Sequence, residues 1–119
     1  MWAHARDDEP ARRLLHSDGI AVRRGEGRAR ITVGGSLDME RRDAFAGRVR
    51  EVARDGERVE IDLRELEFID SVGLSSILVA DRVVREAGGR LTVLLPDAGP
   101  VRKMFELTLL HLALDVRTG

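Results

Sequence analysis

Ser71 follows directly on Asp70, where an alternating apolar stretch gives way to apolar residues at helical spacing. A hydroxyl at a helix entrance meets backbone N–H groups without intrahelical partners and the positive end of the helix dipole. Both features suit a serine oxygen, or a phosphate placed on it. The ordinary role of a serine there is an N-cap, which needs no further function. Nucleophilic catalysis demands more. A hydrolase elbow requires Gly-x-Ser-x-Gly, yet position 69 is Ile, and the only candidate bases are His4, His16 and His111. His111 reads more simply as a helix-end residue near the last carbonyls. No catalytic residue is assigned, and the chain is expected not to be an enzyme.

Asp38 and Asp70 would form a carboxylate pair near Ser71 if their turns lie at the same sheet end, although each suits a cap or turn equally well. A paired-carboxylate enzyme would also need a substrate pocket, of which the sequence shows no sign. The histidines lack metal-ligand spacing, no glycine-rich loop ends in Gly-Lys-Ser or Gly-Lys-Thr, and Gly34-Gly35 lacks the dinucleotide fingerprint. No metal or cofactor is expected. Phosphorylation asks least of the acceptor, because the kinase supplies nucleotide, metal and base. An exposed Ser71 would suffice, and Gly73 would remove bulk beside it so that a partner's backbone could approach.

The elements that must position these groups follow from apolar periodicity. Val59, Ile61 and Leu63 alternate with Glu60, Asp62 and Arg64, which predicts a strand over 58–64. Leu74, Ile77, Leu78 and Val84 predict a helix over 72–87, stopped by Gly88-Gly89, and a strand follows over 91–95. This βαβ unit should have parallel strands and a right-handed crossover. Upstream, strands over 20–23 and 29–33 flank a turn at Gly25 to Gly27, and a helix over 39–54 carries Phe45, Val49 and Val52, with Asp38 placed to cap it. A last helix starts near Asp97 to Pro100, with Val101, Met104, Phe105 and Thr108 on one stripe. Residues 112–116 suit either a short strand or packed coil. The expected fold is a two-layer α/β domain, with a small mixed sheet of four to five strands carrying three to four helices mainly on one face.

Bulk properties narrow the class. A chain of 119 residues is one domain, and with 43% hydrophobic but 3% aromatic content its core must be chiefly aliphatic. Without cysteine there are no disulfides, thiol catalysis or Cys-ligated metals. A formal charge of −1 offers no overall positive field for nucleic acid, and no apolar run approaches the roughly 20 residues of a membrane span. The expectation is a cytoplasmic protein without membrane insertion. Residues 1–18 read as a flexible charged tail containing Asp7-Asp8-Glu9-Pro10, and residues 19–117 as the domain.

The run Phe68-Ile69-Asp70-Ser71-Val72-Gly73-Leu74 resembles the signature of the STAS domain family, in the branch that contains bacterial anti-sigma factor antagonists. Gly35-Ser36-Leu37-Asp38 resembles that family's G-x-L-D turn, 58–66 the strand leading to the serine, Gly88-Gly89-Arg90-Leu91 the turn into the next strand, and 101–110 the closing helix. The resemblance implies that Ser71 is the phosphoacceptor of an anti-sigma factor with serine kinase activity. Unmodified protein would bind that factor and release sigma, phosphorylation would end the complex, and a phosphatase would reset Ser71. Asp38, Asp70, Val72, Gly73, Leu74 and Ser75 are the implied partner-binding residues, although Leu74 also belongs to the buried stripe. Ser75 and Ser76 lie inside the helix and are not the principal acceptor. The alternative is a constitutive scaffold or adaptor, of the stressosome type or the soluble STAS component of a lipid transporter. Two positions depart from the family pattern. Val72 stands where many members carry Ser or Thr, and Leu109 replaces the glycine of a Thr-Gly-Leu or Ser-Gly-Leu turn, so the last helix should run on or end differently.

Overall fold

Alternation in the strands sorts the chain into two surfaces. In this computed structural model, which describes residues 18–118, Ala29, Ile31 and Val33 are buried together with Val59, Ile61 and Leu63 and with Leu91, Val93 and Leu95. The strands are β1 (Ile20–Gly25), β2 (Arg28–Val33), β3 (Gly35–Leu37), β4 (Arg58–Asp62), β5 (Leu66–Ile69), β6 (Arg90–Leu95) and β7 (Asp115–Thr118). Five form one sheet in the order β1-β2-β4-β6-β7, antiparallel between the first two and parallel thereafter. The expected parallel pairing across the βαβ unit is present between β4 and β6. The remaining two, β3 and β5, pair in parallel as a separate two-stranded ribbon.

Among the described residues three helices supply the second layer: α1 (Arg42–Ala53), α2 (Ser71–Glu86) and α3 (Pro100–Leu107). Phe45, Val49 and Val52 from α1, Leu74, Ile77, Ala80 and Val84 from α2, and Val101 and Phe105 from α3 join the strand residues in one core. Each fully buried Leu, Ile, Val or Phe contributes on the order of 1.5–3 kcal/mol. Arg48 ties α1 to the start of β1, donating to the Ile20 carbonyl at 2.7 Å and to the Asp18 carboxylate at 2.5 Å. The architecture is the mixed α/β sheet with helices on one face that the sequence pattern predicts.

Four boundaries differ, each for a local reason. The strand expected over 58–64 ends at Asp62, whose carboxylate accepts the Arg64 backbone N–H (3.0 Å) and its guanidinium (2.9 and 2.8 Å). The Leu66 N–H then closes a turn on the Leu63 carbonyl at 3.0 Å, and the chain restarts as β5, which the sequence reading missed. Helix α1 begins at Arg42 instead of Met39, because residues 38–41 form a turn closed by the Arg41 N–H on the Asp38 carbonyl at 3.2 Å. Helix α3 ends at Leu107, and Leu109 enters the left-handed region at φ 60° before a 3-10 turn over Leu110–Leu112. The final strand therefore starts at Asp115, three residues later than the earliest expectation. The tail assigned to residues 1–18 lies outside the described residues but for Asp18.

Candidate functional site at the entrance to the second helix

The ribbon of β3 and β5 builds the site. Its register sets Ser36 against Phe68 and Leu37 against Ile69, so the next residues, Asp38 and Asp70, emerge from neighbouring strands at the same end. The two carboxylates thus share one edge, with Ser71 immediately after the second.

One of them is a cap and the other a turn residue. Asp70, in an extended conformation, is the N-cap of α2: its Oδ1 accepts the Gly73 N–H at 2.8 Å, and its carbonyl accepts the Leu74 N–H at 2.9 Å. Ser71 is consequently not the cap but the first helical residue. It is exposed, and its hydroxyl has no hydrogen-bond partner among the described residues. Asp38 does not cap α1, whose first turn has no side-chain cap. Its carboxylate accepts the Glu40 N–H at 3.1 Å and the Ser36 hydroxyl at 3.4 Å, holding the turn that precedes the helix.

The remaining candidates divide by burial. Ser75 is exposed, Val72 half-buried, and Gly73 and Leu74 are buried. Leu74 belongs to the core cluster and has almost no surface left for a partner. Gly73 calls for a correction of cause. A Cβ there would collide with the Leu37 carbonyl oxygen and lie 2.7 Å from Ile69 Cγ1, so the glycine makes room for the protein's own β3, not for a partner's backbone. The same contact brings the entrance of α2 down onto β3. Ser76 donates to the Val72 carbonyl at 3.0 Å and is a back-bonded helix serine.

Two surface residues escaped the sequence reading. Met39, in the turn after Asp38, is 63% exposed, and Phe68, two residues before Asp70, is 51% exposed. Phe68 looks like a core residue in a short apolar run. Its exposure follows from the ribbon, where Leu66 and Ile69 are buried and Glu67 and Phe68 face out. The edge is thus a hydroxyl and two carboxylates bordered by apolar side chains. It offers no cluster of metal ligands: among the described residues no group of three His, Asp or Glu side chains could hold an ion. His111 Nδ1 lies 3.5 Å from the Phe105 carbonyl, at the far end of α3. No described helix is long and apolar enough to cross a membrane.

Comparison with known proteins bears on this arrangement. A family profile described as "Mlab, STAS domain" matches residues 20–114. Among solved structures, an anti-sigma factor antagonist from Mycobacterium paratuberculosis superposes with a TM-score of 0.73 at 26% identity, covering 87% of this chain and 90% of that one. The anti-sigma factor antagonist SpoIIAA in its unphosphorylated form gives 0.65 at 16% identity, over 84% and 88% of the two chains. The Bacillus cell fate determinant SpoIIAA in its phosphorylated form gives 0.62 at 20% identity, over 83% and 91%. No curated protein sequence matches significantly.

Proposed function

We propose, for a chain that belongs to the STAS domain family, a non-enzymatic switch: an anti-sigma factor antagonist that binds an anti-sigma kinase while Ser71 is free and leaves it once Ser71 is phosphorylated, thereby regulating sigma-dependent transcription in the cytoplasm. Residues 19–117 are the functional unit. The observation that carries this reading is the exposed Ser71 hydroxyl, without a hydrogen-bond partner among the described residues, at the first position of α2, with Asp38 and Asp70 on the same edge. A kinase needs that hydroxyl and little else from its substrate. Met39, Phe68 and Val72 supply apolar contact, Ser75 and the carboxylates a polar rim, the usual anatomy of a protein interface.

Phosphate adds about −1.5 to −2 charges at neutral pH. The helix N-terminus favours that charge by about 0.3–1 kcal/mol, and Asp38 and Asp70 offset part of it by repulsion, so the fold tolerates modification. Alignment of SpoIIAA in both phosphorylation states to this chain supports that tolerance. The effect falls on the complex, where a hydrated dianion must be desolvated or must separate the surfaces. A penalty of about 2.7 kcal/mol weakens binding about a hundredfold. A phosphatase would restore the hydroxyl.

The test is incubation with the anti-sigma kinase and ATP, followed by mass-spectrometric mapping. Phosphate is expected on Ser71 and absent from Ser71→Ala; modification that persists in this variant sinks the assignment. Ser71→Asp should bind the anti-sigma factor more weakly than Ser71→Ala does, and equal affinities would count against the charge mechanism. A second reading, a constitutive scaffold or adaptor of a stressosome or lipid transporter, draws on exposed apolar residues away from Ser71: Leu78 and Val79 on α2, and Leu107, Leu109 and Leu112 near the C-terminus. Recovery in a large assembly, or with a membrane ATPase, irrespective of Ser71 phosphorylation would favour it.

A further inference from the structure

The sheet has a second surface that the switch does not use. Alternation sends Ala29, Val59 and Leu91 towards the helices and their neighbours to the opposite face. The first residues of β2, β4 and β6 are all arginine, and the register aligns them: Arg28 is paired with Arg58, and Arg58 with Arg90. Three guanidinium groups therefore start from adjacent strands about 4.8 Å apart. Like charges directly opposite one another weaken a sheet. The fold accepts that arrangement at the expense of its own stability.

Among the described residues nothing neutralises the row. Two residues further along the same face, Arg30 is bonded to Glu60 at 2.6 Å, and Asp115 accepts the Thr92 hydroxyl at 2.8 Å and lies 3.5 Å from Arg117. These carboxylates are already engaged. Arg28, Arg58 and Arg90 have no side-chain hydrogen bond or ion pair among the described residues. They line a groove of about 430 Å³, together with Glu60, Thr92 and Asp115. That size suits a small molecule. Among the described residues its wall holds no aromatic side chain and no apolar residue larger than Val59, so none of these would stack on a nucleobase.

We propose that this groove is a binding site for a compact oligophosphate, recognised through its phosphate chain by Arg28, Arg58 and Arg90. Guanidinium forks match phosphate oxygens in bidentate geometry, and several linked phosphoryl groups can answer several fixed positive charges where a single phosphate cannot. The site opens at the start of the parallel strands on the face away from the helices, whereas Ser71 follows the end of β5. It is independent of the phosphorylation switch.

The test is calorimetric titration of the full chain at low salt with inorganic triphosphate, inorganic phosphate, ATP and a poly-glutamate peptide. Triphosphate should bind one per chain, single phosphate about tenfold more weakly or less, and ATP comparably to triphosphate because only the phosphate chain is held. Binding should weaken as salt rises. Arg58→Gln should lose about tenfold in triphosphate affinity while its unfolding midpoint equals or exceeds that of the parent, since a like-charge contact is gone. Arg90→Gln should show the same loss, Arg58→Lys a smaller one, and Ser71→Ala none. Absence of triphosphate binding, unchanged affinity in both glutamine variants, binding of ATP alone, or tighter binding of the peptide would each overturn the proposal.

Discussion

Leu37 decides what residue 73 must be. Its carbonyl oxygen fills the space a Cβ would occupy, with Ile69 Cγ1 closing the other side, and backbone oxygen is the neighbour least able to yield. Gly73→Ala should therefore cost about 3 kcal/mol, read as a lowered urea midpoint with an unchanged slope. The next residues back divide their labour. Asp70 satisfies a helix N–H and leaves the adjacent Ser71 without a structural task. Asp70→Ala should lose about 1 kcal/mol, whereas Ser71→Ala should stay within about 0.5 kcal/mol of the parent. If instead Ser71→Ala proved the more damaging of the two in chemical denaturation, the serine would be serving the helix and its availability to a kinase would be in question.

Among the elements, the end of α3 carries the clearest strain. Leu109 is the one non-glycine residue with positive φ among those described, at φ 60° and ψ 20°. Its N–H donates to the Glu106 carbonyl at 3.2 Å, and the Leu112 N–H returns to the Leu109 carbonyl at 3.0 Å, so the turn is held from both sides. Of the two consequences expected from replacing glycine there, the helix does not run on: it stops at Leu107, and the leucine accepts the strained conformation. Its side chain is 59% exposed and gives little burial in return. Leu109→Gly should raise stability by about 1 kcal/mol, seen as a higher thermal midpoint, because glycine adopts this conformation without the Cβ penalty. The ribbon of β3 and β5 is the other element with consequences beyond itself, since its register alone brings Asp38 and Asp70 to one edge.

At the scale of the whole molecule the two faces of the sheet follow different physics. The helix side is chiefly aliphatic, while the opposite side holds charges with partial burial. Asp62 is 5% exposed, between Arg64 and Arg30. Burial pushes its carboxyl up, but hydrogen bonds from Arg64 and the charges of Arg64 and Arg30 outweigh it, and the result lies below the usual carboxylate range. A carboxylate with a lowered folded-state pKa contributes stability above its unfolded pKa of about 4 and loses it as pH falls through the lower folded value. Urea midpoints should thus fall below about pH 4, and Asp62→Asn should flatten that slope while lowering stability at neutral pH. An unchanged acid slope in this variant would show that other carboxylates dominate.

The sequence by itself determined the layers, because alternation in 58–63 and the helical stripe of Leu74, Ile77 and Val84 each leave one surface that must be buried. It also located Ser71 at a helix entrance, since the change of period falls there. Only tertiary structure decided which residue caps that helix, why Gly73 is glycine, that Phe68 faces outward and that Asp38 and Asp70 leave neighbouring strands at the same end. These depend on the pairing of β3 with β5, a contact between segments about thirty residues apart in which each strand is too short to leave a period of its own. The alignment of Arg28, Arg58 and Arg90 has the same origin: each is an ordinary surface arginine in sequence, and the register across three strands makes them neighbours.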